Sequence, residues 1–378
     1  MILYIASVLV LAILLLRFVL PLRVLGITGR IIAAVIATLA CFKYQIYTYS
    51  SGMFLLPELP APVMLSLEFL FALAITLAVM MVLRDLLLLA LRILKIFKIN
   101  IRAGIGPQAD RGIIFVLCTV LALYGVYEAV SLPQARETEI RVAGLPSDLD
   151  GYRIVQLSDL HAGPLQKSDW VAEIVKRTND QNPDLIAITG DFIDGGVSMS
   201  GDSVAPLGDL KAKDGVYGIT GNHEYYYDEP QWTADLRSLG INLLFNESRV
   251  IRRGGAEIEI GGIPDDTSSR FGLMPPDLKS VFPKDEAKKP FKILLSHKPA
   301  YFIADGNDAD LQLSGHTHGG MMPLLRQIVA RANSGFVRGL YERGNRYLYV
   351  SPGTGIWNGF SCRILTPPEI SVLILRSK

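Results

Sequence analysis

Five short motifs in the last 220 or so residues carry side chains able to hold a metal ion. They are Asp159-Leu160-His161, Gly190-Asp191-Phe192, Gly221-Asn222-His223-Glu224, Ser296-His297-Lys298 and Gly315-His316-Thr317-His318-Gly319. The chain has five histidines, all of them in these motifs. Neutral imidazole is the commonest metal ligand among side chains, and carboxylate and amide oxygens suit harder divalent ions. A sequence that uses histidine nowhere else points to one metal site.

The elements that must position these residues are strands. Candidates are Ile140 to Val142, Arg153 to Leu157, Leu185 to Thr189, Val216 to Thr220, Ile258 to Ile260, Lys292 to Leu295, Leu311 to Leu313, Tyr347 to Val350 and Ile370 to Leu375. Ser168 reads as the N-cap of a helix holding Val171, Ile174, Val175 and Thr178, ended by Asn182-Pro183. Strands interleaved with helices predict an α/β fold. Five of the strands run directly into the five motifs, so each delivers polar residues at its C-terminal end. In open α/β sheets that edge is where ligands bind. Gly190, Gly221 and Gly315 let the backbone turn sharply there.

The order D-x-H, GD, GNHE, H, GHTH resembles the calcineurin-like metallophosphoesterases over about residues 150–376. The resemblance implies two mixed β-sheets flanked by helices, an α/β four-layer sandwich. It also implies that Asp159, His161 and His318 hold one metal, that Asn222, His297 and His316 hold a second, and that Asp191 bridges them. His223 is implied to face the substrate as proton donor or charge stabiliser, with Glu224 or a backbone group orienting its ring. Seven donors shared between two ions leave open positions for water and substrate, as catalysis requires. Two ions about 3.5–4 Å apart can clamp the attacking and leaving oxygens, and a bound water whose pKa falls toward ~7 supplies hydroxide. The Asp/Asn/His set fits manganese, iron or zinc better than calcium or magnesium. Asp194 reads either as a support for this site or as a surface aspartate.

Two further stretches stay open. Gly261 to Asp266 reads as a turn closing a sheet or as a Gly-x-x-Asp turn of the family. Met321 to Val329, with Arg326, Arg331, Arg338 and Arg343 nearby, reads as a core-covering helix or as a wall for a lipid-like substrate.

The first third of the chain is different. Half of the 378 residues are apolar, and the excess lies before about residue 133. A bilayer core of about 30 Å needs about 20 apolar residues, and four runs qualify: 2–20, 31–49, 63–83 and 112–132. The first lacks a basic n-region and a cleavage site and reads as a retained helix. Lysine and arginine fall in the first and third loops, which the positive-inside pattern assigns to the cytoplasm. Everything after Leu132 is then extracytoplasmic. Residues 84–102 place Arg84, Arg92, Lys95, Lys98 and Arg102 on one side of a helical wheel. They read either as a basic amphipathic helix on the anionic leaflet or as the third span running on. Glu68 and Glu128 sit toward outer ends of spans, and no second charged residue is expected deep in the membrane.

The expected organisation is a multi-span α-helical membrane domain (1–133), a linker with the first strand (134–149) and a metallophosphoesterase domain (150–378). A net charge of +1 gives no basic stripe for nucleic acid, and three cysteines build no disulfide framework. The expected activity is hydrolysis of a phosphomonoester or phosphodiester, with a lipid-linked or cell-envelope substrate, at the outer face of the plasma (inner) membrane. The lipid bilayer is the expected partner. Rival readings are a UDP-2,3-diacylglucosamine-type pyrophosphatase of lipid A synthesis, a nuclease, and a non-catalytic membrane sensor or assembly protein.

Overall fold

The computed structural model describes residues 2–51, 59–97, 107–282 and 290–378. The chain divides into two units, Met1–Glu128 with Gly359–Ile364, and Ala129–Asn358 with Leu365–Lys378.

The first unit is helical: α1 (Ile2–Leu14), α2 (Gly26–Cys41), α3 (Lys43–Ser51), α4 (Ala61–Ile96) and α5 (Pro107–Val130). Among the described residues, three helical stretches are long and apolar enough to cross a membrane, Arg23–Cys41, Ala61–Ile96 and Ala109–Val130, and a shorter apolar one runs over Leu3–Val19. The first expected run is α1 followed by a π-helical turn over Leu15–Val19. The second is divided at Phe42, whose φ of −99° and ψ of 22° leave the helical region. The third continues unbroken to Ile96, past Arg84 and Arg92. Lys98 and Arg102 of the expected basic stretch lie outside the described residues. Ala40, Ala74 and Ala78 are buried with Leu14, Leu77 and Met81, small side chains that let helices approach closely.

Contrary to the expectation of no second charged residue, Glu68 has a charged partner, Lys43. Lys43 Nζ lies 2.9 Å from both Glu68 carboxylate oxygens, and both side chains are fully buried. The break at Phe42 starts α3 at this lysine. The remaining valences are met from residues Gly359–Ile364: Lys43 donates to Gly359 O at 2.9 Å, and the Ser361 N–H donates to Glu68 Oε2 at 2.9 Å. Tyr47 adds its hydroxyl at 2.8 Å, and Lys43 Nζ sits 4.1 Å from the Phe71 ring centroid. A buried ion pair needs this kind of completion, because desolvating two charges costs several kcal/mol per ion.

Among its described residues the second unit holds twelve strands: β1 (Gln134–Val142), β2 (Arg153–Leu157), β3 (Leu185–Ile188), β4 (Val216–Gly218), β5 (Asn242–Leu243), β6 (Glu247–Arg253), β7 (Ala256–Gly262), β8 (Phe291–Leu295), β9 (Leu311–Ser314), β10 (Gly339–Arg343), β11 (Arg346–Val350) and β12 (Glu369–Ser377). Its helices are α6 (Ser168–Asn179), α7 (Val197–Val204), α8 (Asn222–Tyr226), α9 (Glu229–Ser238), α10 (Leu278–Val281) and α11 (Pro323–Ala332). Two mixed six-stranded sheets form, in orders β1-β12-β2-β3-β4-β5 and β10-β11-β9-β8-β7-β6. Within them β2, β3 and β4 run parallel, as do β7, β8, β9 and β11.

The period-2 alternation of strand side chains explains the layers. Ile154 and Leu185 meet Ile258, Ile293 and Leu311 between the sheets. Val155, Leu157, Ile186 and Ile188 face the other way, against Ile174 and Val175 of α6 and Leu236 of α9. Leu294 packs on Val281 of α10. The result is the four-layer α/β sandwich, helices outside two sheets. Helix α6 begins at Ser168 itself, with Lys167 rather than Ser168 in the cap position.

Candidate metal centre

The loops leaving β2, β3, β4, β8 and β9 bring the motif residues together. Asp159, His161 and His318 form one cluster, Asp159, Asp191 and His297 a second, and His161, Asp194 and His223 a third, each with donor atoms within 4.8 Å of one another. All are buried. Asn222 reaches His297 through Oδ1 at 3.2 Å from Nε2, and His316 Nδ1 lies 3.2 Å from the same Nε2. Every residue expected from the sequence as a ligand is therefore in the centre.

The backbone is bent to achieve this. Asp159, His161, Asp191, His316 and His318 all have φ between 46° and 68°, a region that non-glycine residues enter only when the surroundings impose it. Such strain gathers at functional sites. The glycines serve close approach: a Cβ at Gly315 would overlap Ser158 Oγ and Asp159 Oδ2, and one at Gly190 would overlap the Gly221 backbone.

Hydrogen bonds fix which ring nitrogens face inward. His297 Nδ1 donates to Thr189 O at 2.7 Å, so in the neutral ring Nε2 carries the lone pair. That lone pair faces Asn222 Oδ1 and, at 3.2 Å, Asp191 Oδ2. His161 Nδ1 donates to Asp194 Oδ1 at 2.9 Å, which aims its Nε2 lone pair at His318 Nε2, 3.3 Å away, and Asp191 Oδ2, 3.7 Å away. His318 Nε2 is in turn 3.4 Å from Asp159 Oδ1. With these rings neutral, acceptors converge on acceptors, an arrangement that repels unless protons or metal ions lie among them.

The electrostatics agree. In the metal-free chain, burial disfavours charge on His297, but Asp191 and Asp159 outweigh it and raise its pKa to about 10. Beside it, burial and the charge of His297 push His316 down to about 3. Asp191 is buried, which alone would raise it, yet His297 and His223 hold its carboxyl well below the usual range. The pocket draws positive charge, and its mixed nitrogen and oxygen donors suit borderline divalent ions. The residues fit a metal.

His223 stands apart from the converging donors. Its Nδ1 is 2.6 Å from Asp194 Oδ1, and its backbone N–H donates to Asp191 Oδ1 at 2.8 Å. Burial opposes its charging, but Asp191 and Asp194 raise its pKa to about 9. Asp194 is thus no surface residue; it supports two histidines through one oxygen and accepts the Asn358 N–H on the other at 2.8 Å. The spacing of three from Asp191 was the only sequence signal for it. Glu224 does different work from ring orientation. It accepts the N–H groups of Gly221, Phe192 and Asp191 at 2.6, 2.8 and 3.1 Å, tying the loops after β3 and β4 together.

Of the two open stretches, the turn after β7 holds Asp265, which accepts from Thr267 N at 2.8 Å and from Lys298 Nζ at 3.3 Å. Helix α11 leaves Ile328 63% exposed, more than a core-covering helix needs.

A family model described as calcineurin-like phosphoesterase matches residues 152–320. A transmembrane protein with metallophosphoesterase domain from Danio rerio is 37% identical over 273 residues, covering 69% of this chain and 61% of that one. The chain thus spans less than two thirds of the zebrafish protein. An uncharacterized metallophosphoesterase of Helicobacter pylori is 34% identical over 257 residues, 67% of each chain. Another, from Aquifex aeolicus, is 31% identical over 265 residues, 69% of this chain and 98% of that one. Among solved structures, a sulfate thiohydrolase, SoxB, aligns with a TM-score of 0.39 at 14% identity over 56% of this chain and 53% of that one, a likeness too weak to argue from.

Proposed function

For a chain that belongs to the calcineurin-like metallophosphoesterases, we propose two-metal hydrolysis of a phosphomonoester or phosphodiester. Asp159, His161 and His318 would hold one ion, Asn222, His297 and His316 the other, and Asp191 would stand between them. The observation that carries this is the convergence of lone pairs described above, in two groups that share Asp191. Bound ions supply Lewis acidity to a phosphoryl oxygen and to the attacking water.

The chain's own residues do the rest. Thr189 O and Asp194 fix the tautomers of His297 and His161, so both present Nε2 to the centre. His223, kept protonated by Asp194, holds Nε2–H as the proton for the leaving oxygen. As the P–O ester bond breaks, that proton neutralises the departing alkoxide, and general acid catalysis of this kind contributes about 10²–10⁴-fold.

The apolar helices make the protein a membrane protein, and a phosphorylated substrate follows from the phosphoesterase unit. A lipid-linked or envelope phosphoester is the substrate class this combination favours. The basic loops favour a site outside the plasma (inner) membrane.

The test is metal-dependent release of phosphate or head group from a panel of envelope lipids, by wild type and His223→Ala. The variant should keep its bound metal and lose about 10²–10⁴-fold in kcat. Equal loss of metal and of turnover sinks the role given to His223, and no release from any phosphoester sinks the hydrolase.

A further inference from the structure

Within the helical unit, α1 with its π-helical turn, α4 and the start of α5 leave a cleft of about 790 Å³ between them. Its polar lining is Arg17, Arg84, Arg92, Arg111 and Asp85. Arg84 is only 12% exposed and is pinned by Asp110 at 2.7 Å and Asp85 at 3.2 Å. Arg17 shares Asp85 at 3.0 Å, and Arg111 Nε donates to the Arg17 carbonyl at 3.1 Å. Among the described residues at the cleft, guanidiniums outnumber carboxylates. The other wall is hydrocarbon: Leu16, Leu86 and Leu89 line the cleft and are 63%, 57% and 52% exposed.

We propose that this cleft is a binding site for an anionic phospholipid, the phosphate on the arginines and the acyl chains on the leucines. Guanidinium pairs with phosphate oxygens in a planar, two-pronged geometry that an ammonium lacks. Arginines beside exposed leucines on membrane helices suit a ligand that carries both a phosphate and hydrocarbon, the acyl chains lying where the bilayer meets the leucines. Basic pockets between membrane helices bind anionic head groups in this way. Arg17 also lies inside the π-helical turn Leu15–Val19, a rare conformation frequent at functional sites. The site uses no residue of the phosphoesterase unit.

The test uses the full chain, delipidated in detergent and mixed with vesicles of phosphatidylglycerol or phosphatidylcholine of identical chains, with retained lipid read by native mass spectrometry. Wild type should retain phosphatidylglycerol preferentially. Arg92→Gln with Arg111→Gln should weaken that retention about thirtyfold, about fivefold for each arginine, and leave phosphatidylcholine retention and hydrolysis of a p-nitrophenyl phosphate ester unchanged. Equal retention of the two lipids by wild type, or wild-type retention by the double variant, overturns the proposal. Displacement by inorganic phosphate alone also overturns it, since the ligand would then be the free ion. If the double variant misfolds, wild type decides alone: phosphatidylglycerol must be shed at high salt while phosphatidylcholine is not, and retention indifferent to salt refutes a charge-selected site.

Discussion

Replacing Asp194 with asparagine perturbs the point where two histidines depend on one oxygen. Oδ1 meets His161 Nδ1 at 2.9 Å and His223 Nδ1 at 2.6 Å, while Oδ2 accepts the Asn358 N–H at 2.8 Å. Three donors converge on one carboxylate. An amide offers one accepting oxygen and one donating nitrogen, so either both imidazoles or Asn358 would face a donor. The charge is lost as well. Burial alone would keep His223 neutral; Asp191 and Asp194 bring its pKa to about 9. Asp194 is the counter-charge in direct contact with the ring, at 2.6 Å, and one opposite charge at this distance is worth about 1–3 pKa units. The active form is protonated His223, so activity is present below its pKa and lost as pH rises through it. In Asp194→Asn the alkaline limb should move down by about 1–2 units, which lowers kcat at about pH 8 by roughly 2–10-fold and closes the deficit toward pH 6. The assay is initial rate against pH on an alkyl phosphodiester, whose alkoxide needs the proton. A p-nitrophenyl ester, with its better leaving group, should suffer less. Metal must be saturating, because loss of a carboxylate behind a ligating histidine costs about 10–100-fold in metal affinity. A wild-type rate at about pH 8 with an unmoved alkaline limb would refute the reasoning.

Other perturbations separate the parts. Because the raised pKa of His297, about 10, means a proton occupies Nε2 at neutral pH in the metal-free chain, metal uptake should release it. Affinity should then fall as pH falls, by about tenfold per unit for each proton displaced; calorimetry in buffers of different ionisation enthalpy that shows no proton release contradicts this. Glu224→Ala orphans three buried N–H groups and should cost about 3 kcal/mol or more, seen as a lower Tm, with Glu224→Gln milder; equal Tm values for all three proteins would dismiss the strut. Lys43→Met leaves Glu68 charged, buried and unpaired, which costs about 3–5 kcal/mol, whereas Lys43→Met with Glu68→Met should recover much of it. Thermal unfolding in detergent measures both, and a double variant no better than the single one argues against the ion pair as the cause.

Legibility followed burial. Strand β2 was bounded correctly because four of its five residues are buried and polar breakers flank it. Strands β6 and β10 escaped notice because most of their residues are wet or half-wet, as edge strands allow, so Glu247–Arg253 and Gly339–Arg343 carry charges that mask the alternation. The second apolar run divides at Phe42, just before the polar Lys43-Tyr44-Gln45. That Lys43 pairs with Glu68 on another helix is something hydropathy does not show. The five motifs were legible because ligand chemistry restricts residue type at each strand end. Asp194 and Glu224 were only half legible, since a carboxylate shows its partners by position and not by spacing.

The six residues Gly359–Ile364 have a consequence for biosynthesis. They complete the hydrogen bonds of Lys43 and Glu68, yet Gly359 lies 316 positions beyond Lys43 in the chain. At about 5–20 residues per second, translation needs on the order of tens of seconds to reach them. Throughout that interval the helices hold an ion pair whose last acceptor and last donor have not been made. The helical unit, synthesised first, is thus finished last, and a chain stalled before residue 359 would hold this charge pair without the acceptor and donor that complete it.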